Sequence, residues 1–200
     1  ILKRLAEQMA IENIDYRLPS VQEGHLDDKL QMKDRNPNSF AAKIIGLVPG
    51  QGALDFKGII DGISRGKIQY LLAIACDPAE YLGEGGMKTL GKLKFFGLIH
   101  WTEVSSIPAA DVALPIAAYA ESNGVFINFQ GRAQICRRAF APKGEARPAW
   151  QAILLLARQM GYKFKAFSDR ELFEEFTSHT DNYRGLTWDE IGPLGTMGKV

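Results

Sequence analysis

Two apolar runs, Gln69-Tyr-Leu-Leu-Ala-Ile-Ala-Cys76 and Lys94-Phe-Phe-Gly-Leu-Ile-His100, carry no charge between their first and last residues. Such runs are too short for core helices and lack the alternation of a one-sided strand. They read as strands buried on both faces, the kind that parallel sheets contain. Asp77-Pro78 ends the first run. Proline suits the first turn of a helix, and Glu80 and Glu84 favour that helix's positive end, though Gly85 and Gly86 interrupt it. A third short buried strand, Asp111 to Leu114, is stopped by Pro115. Strand, helix and strand at these spacings make a βαβ unit with parallel pairing and a right-handed crossover. The expected class is α/β, a Rossmann-like and mostly parallel sheet flanked by helices, with a helical C-terminal part.

Composition removes several function classes. A chain of 200 residues can bury a sizeable core. The 24 Lys and Arg nearly balance the 23 Asp and Glu, which gives no global argument for nucleic acid. No apolar run approaches the roughly 20 residues that span a bilayer; the best stretch, Ile153 to Ala157, is bounded by Gln151 and Arg158. Direct membrane insertion is therefore not expected. Cys76 and Cys136 lie far apart without a CxxC or Cys-x-x-His partner and read as buried thiols, so no zinc or iron–sulfur site is expected from this segment alone.

Three regions follow from the patterning. Residues 1–39 form an N-terminal helix, with Leu2, Leu5 and Met9 near helical spacing, then a chain that Pro19 turns away. A polar linker from Ser20 to Ser39 follows, with a short turn at Leu26 to Met32. Residues 40–146 hold the α/β part. Its Gly46 to Gly52 stretch has neither the GxGxxG nor the GxxxxGK[ST] spacing and reads as a plain turn. A short helix covers Leu54 to Ser64. Residues 147–200 are helical: Arg147 to Gly161 puts Trp150, Ile153, Leu154, Ala157 and Met160 on one face. Ser168 with Glu171 forms a capping box, and Thr187 with Glu190 repeats it before a short terminal helix. The start at Ile1, in what reads as the middle of a helix, suggests a piece cut from a longer polypeptide.

Candidate chemistry gathers where strands end, because open α/β sheets bind ligands at the carboxyl ends of their strands. His100 stands there, followed by Thr102, Glu103, Ser105 and Ser106 in one exposed region. A His–Glu acid/base pair and simple loop hydrogen bonding both fit these types. Asp77 holds the equivalent place on the neighbouring strand, where it caps the next helix or reaches a ribose or guanine edge. Further on, Ala110 to Gln134 contains a turn at Glu121 to Gly124, a strand from Val125 to Phe129 and a turn at Gln130 to Arg132. Glu121 fits a bond to the turn's backbone, and Arg132 a buried or interface ion pair. Arg137, Arg138, Lys143 and Arg147 form a basic cluster of the kind that makes a solvated face or a protein contact.

The same stretch, with Asp111, Pro115, Glu121, Gly124, Asn128, Gly131 and Arg132 as its fixed points, resembles the "ADVVLP…E…GT…N…GR.Q" run of the molybdopterin oxidoreductase family. Leu5 to Leu18 resembles the family's "T.N.D.R" segment, Gln69 to Pro78 its "ALLV.G.NP" strand, and Phe95 to Leu114 its "D.F.TETA..ADVVLP" stretch. Pro142-Lys-Gly-Glu-Ala-Arg-Pro-Ala-Trp150 looks most like the version in the large iron–sulfur subunit of NADH-quinone oxidoreductase, respiratory complex I. The resemblance implies a scaffolding part of that peripheral-arm subunit, supporting electron transfer from NADH to quinone without a cofactor or redox centre in this segment. Iron–sulfur clusters would then lie elsewhere in the parent chain. Its partners would be other subunits of the arm, at the cytoplasmic face of a bacterial inner membrane or on the mitochondrial matrix side. The alternative is a fragment of an active enzyme of the formate dehydrogenase or nitrate reductase type, in which Asp77, Thr102 and Glu103 line a pterin guanine dinucleotide site. Two departures bear on the choice. Asp77 stands where many relatives have Asn, and Val104-Ser105-Ser106 replaces the usual Glu-Thr-Ala. The joint between the first two matching segments also looks shorter than in relatives.

Overall fold

The computed structural model of the chain describes residues 1–16, 36–165 and 168–199. The expected proline stop at Pro19, the turn at 26–32 and nearly all of the 20–39 linker lie outside the described residues. Helices α1 (Leu2–Gln8), α2 (Ser39–Ile44) and α3 (Phe56–Ser64) come first. Asp55 starts α3 by accepting the Gly58 N–H on its carboxylate at 2.8 Å, which satisfies one of the four N–H groups a helix start leaves open. The glycine stretch before it is a turn.

Strands β1 (Tyr70–Ile74), β2 (Phe95–His100) and β3 (Val112–Pro115) form a parallel sheet in that order. Between β1 and β2 the crossover is two short helices, α4 (Pro78–Leu82) and α5 (Gly86–Leu90). The break falls at Gly83 and Gly85, whose φ values of +57° and +96° suit glycine alone. Three parallel strands flanked by helices confirm the α/β reading, and two differences in detail have physical causes. Pro115 does not stop β3 but is its last rung, opposite His100; its missing N–H does not matter because the next residue, Ile116, donates to the His100 carbonyl at 3.0 Å.

The second difference is burial. Of these three strands β2, the central one, is buried from Phe96 to Ile99, while Tyr70 of β1 is 68% exposed and every residue of β3 is exposed. Helices α4 and α5 cover the face of Leu71, Ala73, Phe96 and Leu98, where Ala79, Leu82 and Leu90 pack. The other face is met at Ile74 by the cluster of Leu5, Ile153, Leu154, Ala157 and Phe164, while Leu72, Phe95, Val112 and Leu114 stay open. An uninterrupted apolar run therefore marks membership of a parallel sheet and does not measure burial.

A second, antiparallel sheet joins β4 (Gly124–Ile127), β5 (Arg132–Cys136) and β6 (Thr196–Met197). The strand expected to reach Phe129 ends at Ile127, because Asn128 bends the chain: its Oδ1 accepts the N–H groups of Gln130 and Arg132 at 3.0 and 2.9 Å. Helix α6 (Ala149–Gln159) stops before Gly161, at φ +87°. Helix α7 (Asp169–Ser178) begins at the expected cap, Ser168 Oγ accepting the Glu171 N–H at 3.1 Å. The last box closes, with Glu190 accepting from the Thr187 N–H at 2.7 Å, but it starts a single 3-10 turn, Trp188–Glu190. Ile127, Ala133, Phe173, Tyr183 and Ile191 form the core of this half.

Candidate functional site

The carboxyl ends of β1 and β2 deliver Asp77 and His100 to one edge of the parallel sheet. At β1 the backbone leaves the strand through Ala75, a non-glycine at φ +55°, whose N–H still bonds the Ile99 carbonyl at 2.8 Å. Two residues later Asp77 is 8% exposed and accepts four donors. Its Oδ1 takes the N–H groups of Ala79 at 3.2 Å and Ser106 at 3.1 Å, and also the Ser106 hydroxyl. Its Oδ2 takes the Ser105 N–H at 2.9 Å. Of the two roles open to Asp77, the capping of α4 is present, and one carboxylate also ties the loop after β2 to the end of β1.

That loop carries Trp101, Thr102 and Glu103, all exposed. His100 stacks on Trp101 with centroids 4.3 Å apart, and its Nδ1 accepts the Thr102 N–H at 3.2 Å. Among the described residues no hydrogen bond joins His100 to Glu103, so the acid/base pair is not assembled. Ser106, expected in the exposed region, is fully buried, and its hydroxyl accepts the Ala79 N–H at 2.9 Å. Ser106 stands in the candidate region by sequence, but its bond to Asp77 is not legible there, and Trp101 is not legible as part of the site. No spacing rule links Ser106 to an aspartate 29 positions earlier, and Trp101 gained weight only from its exposure beside His100.

The motif residues further on hold structure. Asp111 accepts the Phe96 N–H at 2.7 Å and so pins the start of β3 to β2. Glu121, 9% exposed, accepts the Ala118 N–H at 3.0 Å, the backbone bond its type suggests. Gly124 pairs with Cys136 at the end of the hairpin, and Gly131 turns at φ +81°. Arg132 makes no ion pair among the described residues; it donates to the carbonyls of Leu194 and Gly195 at 3.4 and 3.3 Å. That contact arises because β6 returns alongside β5.

Cys76 is partly buried, and burial above all, helped by the charges of Asp77 and Glu80, pushes its thiol up to about 12. It is no nucleophile at neutral pH. Among the described residues no group of His, Cys, Asp or Glu could hold a metal ion, and no helix is long and apolar enough to cross a membrane. Clefts of about 260 and 230 Å³ lie on the antiparallel half, one beside Tyr183 and Glu190, the other beside Trp150 and Phe173. Neither borders the carboxyl edge. Among the described residues that edge presents a hydroxyl, a carboxylate and an indole face on a loop tied to Asp77.

Residues 31–159 match the family model of molybdopterin oxidoreductase. The chain belongs to the molybdopterin oxidoreductase family. This molybdopterin oxidoreductase chain is 31% identical to the F420-dependent formate dehydrogenase alpha chain of Methanocaldococcus jannaschii, over 91% of its own length and 26% of that protein. It is 25% identical to an NADH-quinone oxidoreductase subunit of Rhizobium meliloti, over 75% of its length and 18% of that protein. It thus spans about a quarter or less of the relatives it matches. Its fold is shared with acetylene hydratase from Pelobacter acetylenicus, at a TM-score of 0.52 and 17% identity, over 77% of this chain and 21% of that one.

Proposed function

We propose that this chain forms one wall of a pterin guanine dinucleotide site in an oxidoreductase of the formate dehydrogenase type. The observation that carries the reading is the similarity to a formate dehydrogenase alpha chain across 91% of the sequence. The carboxyl edge fits the dinucleotide's polar end. Thr102 and Glu103 are exposed and can meet ribose hydroxyls or the guanine edge, and Trp101 offers a flat face 48% exposed. Asp77 does not fit as a direct ligand, since both of its oxygens already accept donors from this chain. When bound, the cofactor supplies the two-electron redox chemistry. The residues here bind and orient it.

A second reading has its own support. Similarity to the Rhizobium meliloti NADH-quinone oxidoreductase protein covers 75% of the chain, and an Asp77 occupied internally also suits a scaffold. The chain would then pack among other subunits of a peripheral arm, at the cytoplasmic face of an inner membrane or in the mitochondrial matrix. Iron–sulfur clusters would lie elsewhere in its parent, and electrons would pass from NADH to quinone without a centre in this segment.

Substrate-dependent reduction of a viologen dye by the intact purified protein separates the two. Formate leaves as carbon dioxide and a proton while two viologens each take one electron. The formate dehydrogenase reading expects this reaction with formate and none with NADH. Reduction by NADH with formate inert would replace it with the scaffold.

A further inference from the structure

We infer that Asp77 is a positioning residue for the dinucleotide: its two carboxylate oxygens fix the loop 101–106 from beneath, without touching the ligand themselves. This rests on the function proposed above.

The four donors are shared unequally. Oδ1 serves Ala79 and both groups of Ser106; the Ala79 bond caps α4, and all three contacts are buried. Oδ2 serves the Ser105 N–H at 2.9 Å, on a residue that is itself exposed. Ser105 lies two positions after Glu103, so the Oδ2 bond sets where the loop turns back beneath its exposed groups. A bond to an ionised carboxylate is about twice as strong as a neutral one. Asparagine at this position would keep one oxygen for Ala79 and Ser106, but its NH₂ group would face the Ser105 N–H, donor against donor. Aspartate at this position accepts on both sides. The Ser105 and Ser106 N–H groups are backbone donors, and the Ser106 hydroxyl alone depends on the side chain.

The two halves of the clamp make separable predictions. Asp77→Asn keeps the capping half and loses the Ser105 half. It should lower Tm no more than Ser106→Ala does, yet speed loss of bound guanine nucleotide about tenfold, the effect of one charge-assisted hydrogen bond. Ser106→Ala removes a buried hydroxyl that bridges Ala79 and Asp77. It should lower Tm while nucleotide loss changes less than about threefold, because the Ser105 and Ser106 N–H bonds remain. A purely structural role would make nucleotide loss follow Tm in both variants.

The test uses the intact protein as isolated, with guanine nucleotide released by acid hydrolysis and quantified after timed gel filtration, beside Tm. Amide hydrogen exchange at Ser105 of the wild type is measured as well, so that a poorly folding variant does not decide the matter. Nucleotide loss that is faster in Asp77→Asn than in Ser106→Ala without a larger fall in Tm, with a protected Ser105 amide in the wild type, supports the inference. A wild type that holds nucleotide while Asp77→Asn keeps it equally well overturns the inference alone, as does a freely exchanging Ser105 amide. A wild type with no guanine nucleotide overturns the proposed function and the inference with it.

Discussion

The phenol of Tyr183 donates to the Gly131 carbonyl at 2.7 Å across 52 residues of chain. The same oxygen accepts the Gly198 N–H at 3.0 Å. The turn between β4 and β5 is thus tied to the segment after α7, and Tyr183, 2% exposed, fills the core between them. Tyr183→Phe should cost only about 1 kcal/mol, because the Gly131 carbonyl keeps a second donor and is not orphaned. Urea denaturation measures it, and a cost above about 3 kcal/mol would mean the phenol does more than this bond.

Burial raises the Tyr183 phenol above the ordinary tyrosine value. In the window above that ordinary value the unfolded chain loses a proton that the folded chain keeps, so the fold binds more protons and stability falls as pH rises. The contribution is complete below the unfolded value and is lost as pH passes through the folded one. Cys76, raised to about 12 from an ordinary 9.0, acts with the same sign over a lower window. Stability should fall between about pH 9 and pH 12, and Cys76→Ala should flatten the lower part of that decline.

The Cys76 shift also predicts reactivity. A rise from 9.0 to about 12 leaves roughly a thousandth of the ordinary thiolate at pH 8. Pulse alkylation read by mass spectrometry should label Cys76 about a thousandfold more slowly in the native protein than in urea. Similar rates in the two would contradict the buried-thiol assignment.

Ala75 holds φ +55° at the end of β1, a region costing a side-chain-bearing residue about 1–2 kcal/mol. The glycine of the family's "G.NP" pattern falls at this position. Ala75→Gly should relieve the strain and lose some of the gain to the freer unfolded chain. The net is a stabilisation of about 0.5–1 kcal/mol, seen as a small rise in Tm; a fall in Tm would show that the strain is not there.

Trp150 is partly buried against the Leu5 cluster, and its Nε1 donates to Asp169 at 2.6 Å. A fully buried tryptophan would cost about 3–5 kcal/mol on truncation. Partial exposure lowers the expected cost of Trp150→Ala to about 2–3 kcal/mol, with loosening between α6 and α7. Trp150→Phe should recover most of the packing and lose only the bond to Asp169. Chemical denaturation of the three proteins orders them.

The parallel sheet was legible because apolar runs, Asp77-Pro78 and the spacing between them are local signals, and the caps at Ser168 and Thr187 were legible for the same reason. The antiparallel half was legible only in part. Strand β5 carries Arg132 and Gln134 among Ala133, Ile135 and Cys136, an alternation that the neighbouring arginines obscure. Strand β6 is two residues long and exists through its pairing with β5. The site divides in the same way. Asp77 stood out by its place at a strand end, but the serines that occupy its oxygens are set by the packing of the loop after β2, which no local pattern encodes.

The most direct test of the dinucleotide-site account is cofactor analysis of the intact purified protein for molybdenum, tungsten, iron and acid-released pterin. The account predicts pterin and guanine nucleotide near one equivalent of the dinucleotide per chain, with molybdenum or tungsten. Iron without molybdenum, tungsten or pterin would contradict it and leave the scaffold in its place.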